Sequence, residues 1–237
     1  MTRDGTGRSH TDASSSSLTS THKPALRLQF RILQAVAESA GYLELLDWRR
    51  RVAELFAELR RRSADAETLA WFRGQKDELF CTHPQSPIPL ADREKFKGLS
   101  YWPFDPAARV VAKFIALDQE PLPTVGDVAF RRIGTLEFGY HNEALTLAAF
   151  WIEGYAGGLF VPFKDGTSGT ETYGGGRYLL DTIKSADLGS DASNSTVVLD
   201  FNYAYHPSCT YDPIWVCPLA PPDSRLAIPL RAGERLG

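Results

Sequence analysis

The stretch LFVPFKDGTSGTETYGGGRY, residues 159–178, joins two apolar runs through a turn rich in glycine, serine and threonine. The first run, Leu159–Phe163, stops just before Asp165, and three consecutive glycines precede Arg177. Glycines this dense mark a place where the backbone comes close to something, either a ligand or another strand. The stretch therefore predicts two neighbouring strands with a polar turn between them.

Polar side chains in and around this turn form the candidate ligand-binding site. Their carboxylate and amide oxygens suit magnesium, calcium or manganese. The same residues are equally compatible with an internal network in which Arg177 pairs with a carboxylate, because an unpaired buried charge is costly. Both interpretations stay open, and no catalytic residue, metal ligand or cofactor is assigned. The candidate residues are Asp165, Ser168, Glu171, Tyr173, Arg177, Asp200, Asn202 and His83.

We expect four of these residues to meet at one end of the β-structure. Asp165 ends one predicted strand, while Glu171 and Arg177 lead into the next. Asp200 lies within the strand predicted over residues 196–205, which we expect to pair beside the strand that starts at Arg177. Because three glycines let a strand bend or bulge, the four side chains can converge.

Composition narrows the class of protein. The chain has 237 residues, 43% of them hydrophobic, which is enough for a substantial core. Its net charge of −3 predicts no binding to nucleic acid or to an anionic membrane. Three cysteines are too few for a disulfide scaffold, and no apolar segment approaches the roughly 20 residues of a membrane span. No secretory signal is evident either, so we expect a cytoplasmic protein.

The first half of the chain is predicted to be helical. Residues 1–23 are polar and of low complexity, which predicts a disordered tail. Loosely periodic apolar residues predict a helix over 24–40 that ends at Gly41, followed by an amphipathic helix through Leu59. Asp65 is suited to cap a third helix. The helical part thus covers residues 24–97 of a single domain, residues 24–237.

The second part, residues 101–237, has the sequence pattern of β-structure, with alternating apolar residues and recurrent turn signals. Strands at short spacing with no helices between them imply an antiparallel meander, forming a barrel or sandwich with the N-terminal helices packed on one side. The fold class is α+β. Strands are predicted over residues 108–117, 128–133, 135–140, 144–153, 159–163, 177–183, 196–205 and 225–231.

The common catalytic motifs are absent from the sequence. It contains no phosphate-binding loop, no HExxH, no CxxC pair and no GxSxG, and the triple glycine does not match GxGxxG. Ser168 has the setting of a turn serine that bonds its own backbone. His206, Cys209 and Cys217 offer zinc-type ligands, but their spacing matches no zinc finger. A disulfide between Cys209 and Cys217 is conceivable across the loop but is disfavoured in a reducing cytoplasm, so two buried free thiols are the preferred interpretation.

Seven segments carry a resemblance to a bacterial and archaeal family, the domain-of-unknown-function family 1684, from about Leu43 to the C-terminus. The resemblance implies kinship and brings no reaction, cofactor or catalytic residue with it. His206 departs from the family pattern, which has Asn in an AYNP motif. The segments are LDWRRRVAELFAELR at 46–60, HPQSPI at 83–88, FKGLSYWPFDPAARV at 96–110, RIGTLEFGY at 132–140, FVPFKDGTSGTETYGGGRY at 160–178, LDFNYAYHPSCTYDP at 199–213 and CPLAPPDSRLAIPLRAGE at 217–234.

Two functional hypotheses follow. In the first, the protein binds a small polar ligand or a divalent metal at the glycine-rich carboxylate cluster, at one end of the β-structure, with or without catalysis. In the second, it is a non-catalytic structural or interaction domain whose polar motifs brace the fold internally. An open cavity lined by the candidate residues favours the first, whereas burial with mutual hydrogen bonding favours the second.

Overall fold

The computed structural model describes residues 23–121, 128–155 and 157–237, with the side chains of residues 41–118 in the first of these ranges. Contacts within the chain divide it into two units, residues 1–42 and 43–237. The disorder predicted for residues 1–23 lies outside the described residues, apart from Lys23, which begins a helix. The fold and sites below belong to the second unit.

Two helices form the helical part. Helix α1 (Lys23–Leu59) runs through Gly41, so the predicted break at this glycine is wrong. A glycine inside a helix costs only about 1 kcal/mol relative to alanine, which the helical turns on both sides can outweigh. Helix α2 (Ala66–Thr82) begins where predicted, because the Asp65 side chain accepts a hydrogen bond from the Thr68 amide at 2.8 Å.

Within the described residues, seven strands form one antiparallel sheet with the order β5-β4-β3-β2-β1-β7-β6. The first five make the predicted meander. The strands are β1 (Arg109–Pro121), β2 (Phe130–Tyr140), β3 (Glu143–Ile152), β4 (Gly158–Phe163), β5 (Arg177–Asp181), β6 (Ser190–Asp191) and β7 (Thr196–Asp200).

The predicted strands differ most from the observed ones at three places, and β5 and β7 also end earlier than predicted, at Asp181 and Asp200. Strand β2 continues through Gly134 with a bulge between Arg132 and Gly134, so the two predicted strands are one. The loop predicted over residues 184–194 contains the short strand β6. Residues 225–231 form no strand, although Arg225 makes an isolated bridge with Lys164. Pro229 has no amide hydrogen to donate, and the backbone of this segment makes only a few hydrogen bonds, with Lys164 and Gly166.

The predicted pairing of β7 with β5 is wrong. Strand β7 pairs with β1, in a register that places Arg109 opposite Asp200. Only one bridge, between Tyr178 and Tyr205, links β5 to the segment that follows β7. Among the described residues, the strand pairs do not close into a ring, and the sheet is a curled half-barrel. The α+β class and the antiparallel meander are confirmed, whereas these strands do not form a closed barrel.

The described residues contain three clusters of buried apolar side chains, of which the smallest includes Phe150 and Phe160. Of the two larger clusters, one lies on the sheet and includes Leu136, Phe163, Leu199 and Phe201, all fully buried. The other joins the helices to the sheet: side chains of α1 and α2 pack against the segments on either side of β6 and β7, and they include Phe56, Leu59, Leu69, Phe72, Leu188 and Tyr203. The helices therefore pack on one side, which positions α2 next to the C-terminal segment.

Candidate functional site

Asp165 organises the turn that follows β4. Its Oδ1 atom accepts hydrogen bonds from the Thr167 amide at 3.1 Å and from the Thr167 hydroxyl at 2.6 Å. The Ser168 hydroxyl also faces this turn, since it accepts a hydrogen bond from the Asp165 amide at 3.1 Å. Ser168 thus lies in the turn-stabilising position that its sequence context predicts, with its oxygen bound to backbone.

Arg177, the first residue of β5, is buried, and its guanidinium makes hydrogen bonds with groups of the same chain. Its guanidinium donates to Asp165 Oδ2 at 3.0 Å and to the carbonyl oxygens of Leu230 at 2.8 Å, Ala232, and Glu234 at 3.1 Å. Burial lowers the pKa of Arg177, and the Asp165 carboxylate opposes this effect. The side chain therefore holds the C-terminal segment, residues 230–234, against the sheet.

The glycines before Arg177 approach the protein's own chain. A Cβ atom on Gly176 would collide with the Phe163 carbonyl oxygen of the neighbouring strand, and Gly176 has a φ of +95°. Next to Gly175, the nearest atoms belong to the Tyr173 ring and to Leu219. Dense glycines suggested close approach of the backbone either to a ligand or to another strand. At Gly175 and Gly176, the neighbours are other segments of the chain.

Glu171 and Tyr173 have partners other than the Asp165–Arg177 pair. The Glu171 carboxylate forms a two-pronged ion pair with Arg231, with distances of 2.8 to 3.2 Å, and both side chains are well exposed. Hydrogen bonds from Arg231 lower the pKa of Glu171. The Tyr173 amide donates to Nε2 of His206 at 3.3 Å. Glu171 is thus not part of a buried carboxylate cluster.

Asp200 and Asn202 form another separate polar group at the end of β7. The Asn202 side chain donates to Asp200 Oδ1 at 2.9 Å and to the Asp105 carbonyl at 2.7 Å, and it accepts from the Asp105 amide at 2.9 Å. Arg109 reaches Asp200 Oδ2 at 3.3 Å. Burial raises the pKa of Asp200, against the hydrogen bonds from Asn202 and Arg109. Of the four residues expected to meet at one end of the β-structure, Asp165 and Arg177 contact each other, whereas Glu171 pairs with Arg231 and Asp200 with Arg109. The convergence of all four stays a prediction.

Another buried carboxylate with several partners belongs to Glu234, a residue that the sequence reasoning missed. It is 1% exposed, and it accepts hydrogen bonds from the Lys76 ammonium, the His206 amide at 2.7 Å and the Tyr211 hydroxyl at 2.8 Å. Burial opposes its ionisation, but the Lys76 ammonium and the hydrogen bond from the His206 amide hold the pKa of Glu234 below its ordinary value. Its position near the end of the chain suggests a solvated residue. The one signal in the sequence is that Glu234 belongs to residues 217–234, the last of the segments that resemble the family.

His206 is a neutral ring in this network. Burial lowers its pKa to about 4, so the ring is uncharged at neutral pH and its Nδ1 atom, 3.6 Å from the Glu234 carboxylate, forms no ion pair. Its Nε2 atom accepts from the Tyr173 amide, which fixes the proton on Nδ1. Within the described residues, no three His, Cys, Asp or Glu side chains converge to hold a metal ion. The zinc alternative for His206, Cys209 and Cys217 therefore has no geometric support.

The family model described as Protein of unknown function (DUF1684) matches residues 94–235, more than half of the chain. The chain belongs to this family. A solved structure is also similar: the solution NMR structure of an uncharacterized protein from Haloarcula marismortui, with 35% sequence identity and a TM-score of 0.52. The similarity covers 72% of this chain and 93% of that one. No curated protein matches the chain.

In this member of the DUF1684 family, the last candidate residue, His83, lies far from the glycine-rich turn. It follows α2, and its Nε2 atom is 3.3 Å from the Asp47 carboxylate of α1, while Nδ1 accepts from the Gln85 amide at 3.0 Å. Desolvation raises the pKa of Asp47, but hydrogen bonds from His83 and Arg51 outweigh it and lower that pKa overall. His83 is buried at the wall of an open groove.

This groove lies between α1 and α2. One part, of about 400 Å³, is lined by residues that include Leu43, Glu44, Asp47 and His83. The adjoining part, of about 430 Å³, shares Arg51 and Thr82 with the first. Its other lining residues are Glu54, Leu55, Glu58, Trp71, Gln75, Glu78 and Leu79. Apart from His83, no candidate residue from the sequence lines either part.

The helices that border the groove are not of the membrane-spanning kind. Within the part of the chain that the structure describes, no helix combines the length and the apolar character needed to cross a bilayer. The lining of the groove instead mixes leucine and tryptophan side chains with carboxylates.

Proposed function

We propose that this protein is a non-catalytic interaction domain. In this proposal, the polar motifs of the β-structure brace the fold, and the groove between α1 and α2 binds a basic, amphipathic segment of a partner protein. The observation that carries it is the contrast between the two regions. The charged candidate residues around the glycine-rich turn already have partners in the chain, whereas the open concave surface with carboxylates lies between the helices.

The bracing role is supported by how the buried charges are used. Arg177 and Glu234 are each about 1% exposed, and each contacts several groups from distant parts of the chain. A buried charge whose hydrogen bonds are all made by the protein has no donor or acceptor left for a ligand. These two residues also fix the C-terminal segment on both sides, to β5 and to α2.

The groove is supported as a binding surface by its charge pattern. Five carboxylates line its two parts, Glu44, Asp47, Glu54, Glu58 and Glu78, against one arginine, Arg51. Asp47 pairs with Arg51, and Glu58 pairs with Arg61 and Arg62 at one end. Glu54 and Glu78 form no ion pair with another described residue, so they are available to a cationic partner.

A helical segment with leucines on one face and lysines on the other matches this surface. Its apolar face would cover Leu55 and Leu79, and its lysines would meet Glu54 and Glu78 across the rim. Complementary charge of this kind mainly raises the association rate and weakens with added salt. Binding of such a segment in the groove involves no catalytic group.

The test is binding of a fluorescently labelled leucine-lysine helical peptide to the full-length protein, followed by fluorescence anisotropy. We expect saturable binding at low salt, and we expect the double variant Glu54→Lys with Glu78→Lys to weaken it several-fold, because two attractive contacts become repulsive. The matched control is Glu94→Lys with Glu143→Lys, which makes the same change in net charge at exposed residues outside the groove.

Equal weakening by both double variants would show that the peptide responds to net charge alone, and the groove proposal would be wrong. Failure of the parent protein to bind the peptide would have the same meaning. Melting temperatures of both double variants should stay close to that of the parent, since the substituted side chains are exposed.

The alternative of a small polar ligand or divalent metal at the glycine-rich turn has less support. It requires Asp165 or Glu171 to exchange an arginine partner for the ligand. Native mass spectrometry with metal analysis, on protein purified without added ligand, separates the two proposals. A bound metal or small molecule that is lost on substitution of Asp165 but kept in the Glu54 and Glu78 variants would favour this alternative.

A further inference from the structure

The groove between α1 and α2 follows both helices along their length. Its lining residues on α1 run from Leu43 to Glu58 at spacings of one, three or four residues, which keeps them on one face of the helix over roughly 23 Å. On α2, the lining residues run from Trp71 to Thr82. An elongated surface of this kind suits one helix of about four to five turns that lies along it.

The N-terminal part of α1 has the sequence of such a helix. Residues 23–40 read KPALRLQFRILQAVAESA, and as a helix they span about 27 Å. Basic residues stand at positions 23, 27 and 31, four residues apart, so these positions follow one line along the helix. The segment has three basic residues against one acidic residue, and leucine, isoleucine, phenylalanine or valine occupies positions 26, 28, 30, 32, 33 and 36.

We propose that a second copy of this chain is the partner that binds in the groove, with residues 23–40 of one copy lying along the groove of the other. This inference rests on the proposed function of the groove and names its occupant. Charge complementarity carries it, since five carboxylates and one arginine line the groove, whereas the segment has an excess of basic residues.

The segment and one wall of the groove belong to the same helix. Because α1 is continuous from Lys23 to Leu59, docking of the segment into the groove of its own copy would require α1 to break. A second copy meets the groove with α1 intact. Two copies related by a two-fold axis place each segment in the other copy's groove, which closes the assembly as a dimer.

Glu54 and Glu78 are the carboxylates on which the charge contribution depends. Both are exposed, and one comes from each helix, Glu54 from α1 and Glu78 from α2. The same part of the groove contains Leu55 and Leu79, which the apolar residues of the segment cover. Since exposed ion pairs contribute little to affinity, the apolar contact supplies most of it, and the charges select the basic segment.

Sedimentation velocity of the full-length protein, over a range of concentrations, measures this self-association. We expect the parent to form a dimer in equilibrium with the monomer, and added salt to shift the equilibrium toward the monomer. The double variants Arg27→Glu with Arg31→Glu, in the segment, and Glu54→Lys with Glu78→Lys, in the groove, should each raise the dissociation constant about tenfold or more. The reason is that each brings like charges together.

An equimolar mixture of these two double variants is the sharpest test. The acidic segment of the first variant then meets the basic groove of the second, while the other segment and groove keep their original charges, so both contacts of the dimer are attractive again. We expect the mixture to dimerise with about the dissociation constant of the parent, which also shows that both variants are folded. The matched control, Glu94→Lys with Glu143→Lys, should dimerise like the parent.

A parent that stays monomeric at every concentration would overturn the inference, as would a dimer that neither double variant weakens or a mixture that fails to associate. Binding of the leucine-lysine peptide to a monomeric parent would leave the groove proposal standing and would show that the occupant is a different protein. Loss of both peptide binding and self-association would instead mean that the groove is not a binding surface.

Discussion

The Arg177 guanidinium contacts the Asp165 carboxylate at 3.0 Å across the polar turn, and neither side chain is more than 1% exposed. The pair closes the turn between β4 and β5, and it also ties down the C-terminal segment. Asp165 Oδ2 accepts from the Leu230 amide at 2.8 Å, and Arg177 donates to three carbonyl oxygens of the same segment. One buried ion pair thus joins the turn and β5 to the C-terminal segment, which is distant from both in sequence.

We expect Arg177→Lys to lower the free energy of unfolding by about 1–3 kcal/mol. Lysine keeps the charge, but its single ammonium cannot reproduce the planar set of donors that reaches Asp165 and the three carbonyls. The measurement is denaturant unfolding at pH 7. Its matched control is Arg231→Lys, in the exposed pair with Glu171, where we expect a change of at most about 0.5 kcal/mol. Similar losses in both variants would contradict the bracing role of Arg177.

The buried amide of Asn202 gives a second prediction. It makes three hydrogen bonds, two with the backbone of Asp105 and one with Asp200. Asn202→Ala leaves the Asp105 amide and carbonyl without these partners, so we expect a loss of about 1–3 kcal/mol in unfolding free energy. The control is Asn194→Ala, which removes an exposed contact with Asp191 and should change stability by about 0.5 kcal/mol or less. The prediction fails if the two variants unfold alike.

Local features of the fold were predictable from the sequence, but the long-range ones were not. The cap at Asp65, the meander β1–β5 and the Asp165–Arg177 pair all depend on residues close in the chain. The pairing of β7 with β1 joins Arg109 to Asp200, and alternation of apolar residues shows which face is buried without showing which strand lies alongside. Glu234 was missed for the same reason, since its partner Lys76 belongs to a distant helix.

The neutral His206 ring predicts a pH dependence of stability. Its pKa is about 4 in the folded protein, against an ordinary value of 6.5, because burial disfavours the charged ring. The unfolded chain therefore binds the proton first, and the stability that this histidine contributes is complete above about pH 6.5 and is lost as the pH falls toward about 4. We expect a loss on the order of 1–3 kcal/mol across this window.

The variant His206→Asn isolates this effect, because asparagine does not titrate. Both proteins are measured by denaturant unfolding. The unfolding free energy of the parent minus that of the variant should fall steadily as the pH is lowered from 7 to 4. Groups that titrate independently of His206 are present in both proteins and cancel in the difference. A difference that stays constant with pH would mean that His206 does not have a depressed pKa.

The triple glycine supplies the last prediction, because its members differ in what surrounds them. Gly176 has a φ of +95°, and a Cβ atom there would strike the Phe163 carbonyl, which belongs to the backbone and cannot move aside. Gly174 has no positive φ, and its Cβ atom would meet only the Gly169 Cα atom at 3.7 Å, an ordinary contact. We therefore expect Gly176→Ala to lower the unfolding free energy by about 2 kcal/mol or more, and Gly174→Ala to change it by less than about 1 kcal/mol in either direction.

Thermal and denaturant unfolding of the two variants, side by side, provide the measurement. Since the two substitutions add the same methyl group two residues apart, a difference between them reports on packing of the chain against itself. Comparable stability of the two variants would mean that β4 and the glycines are not in the close contact described here, and the support for a bracing role of this stretch would be lost.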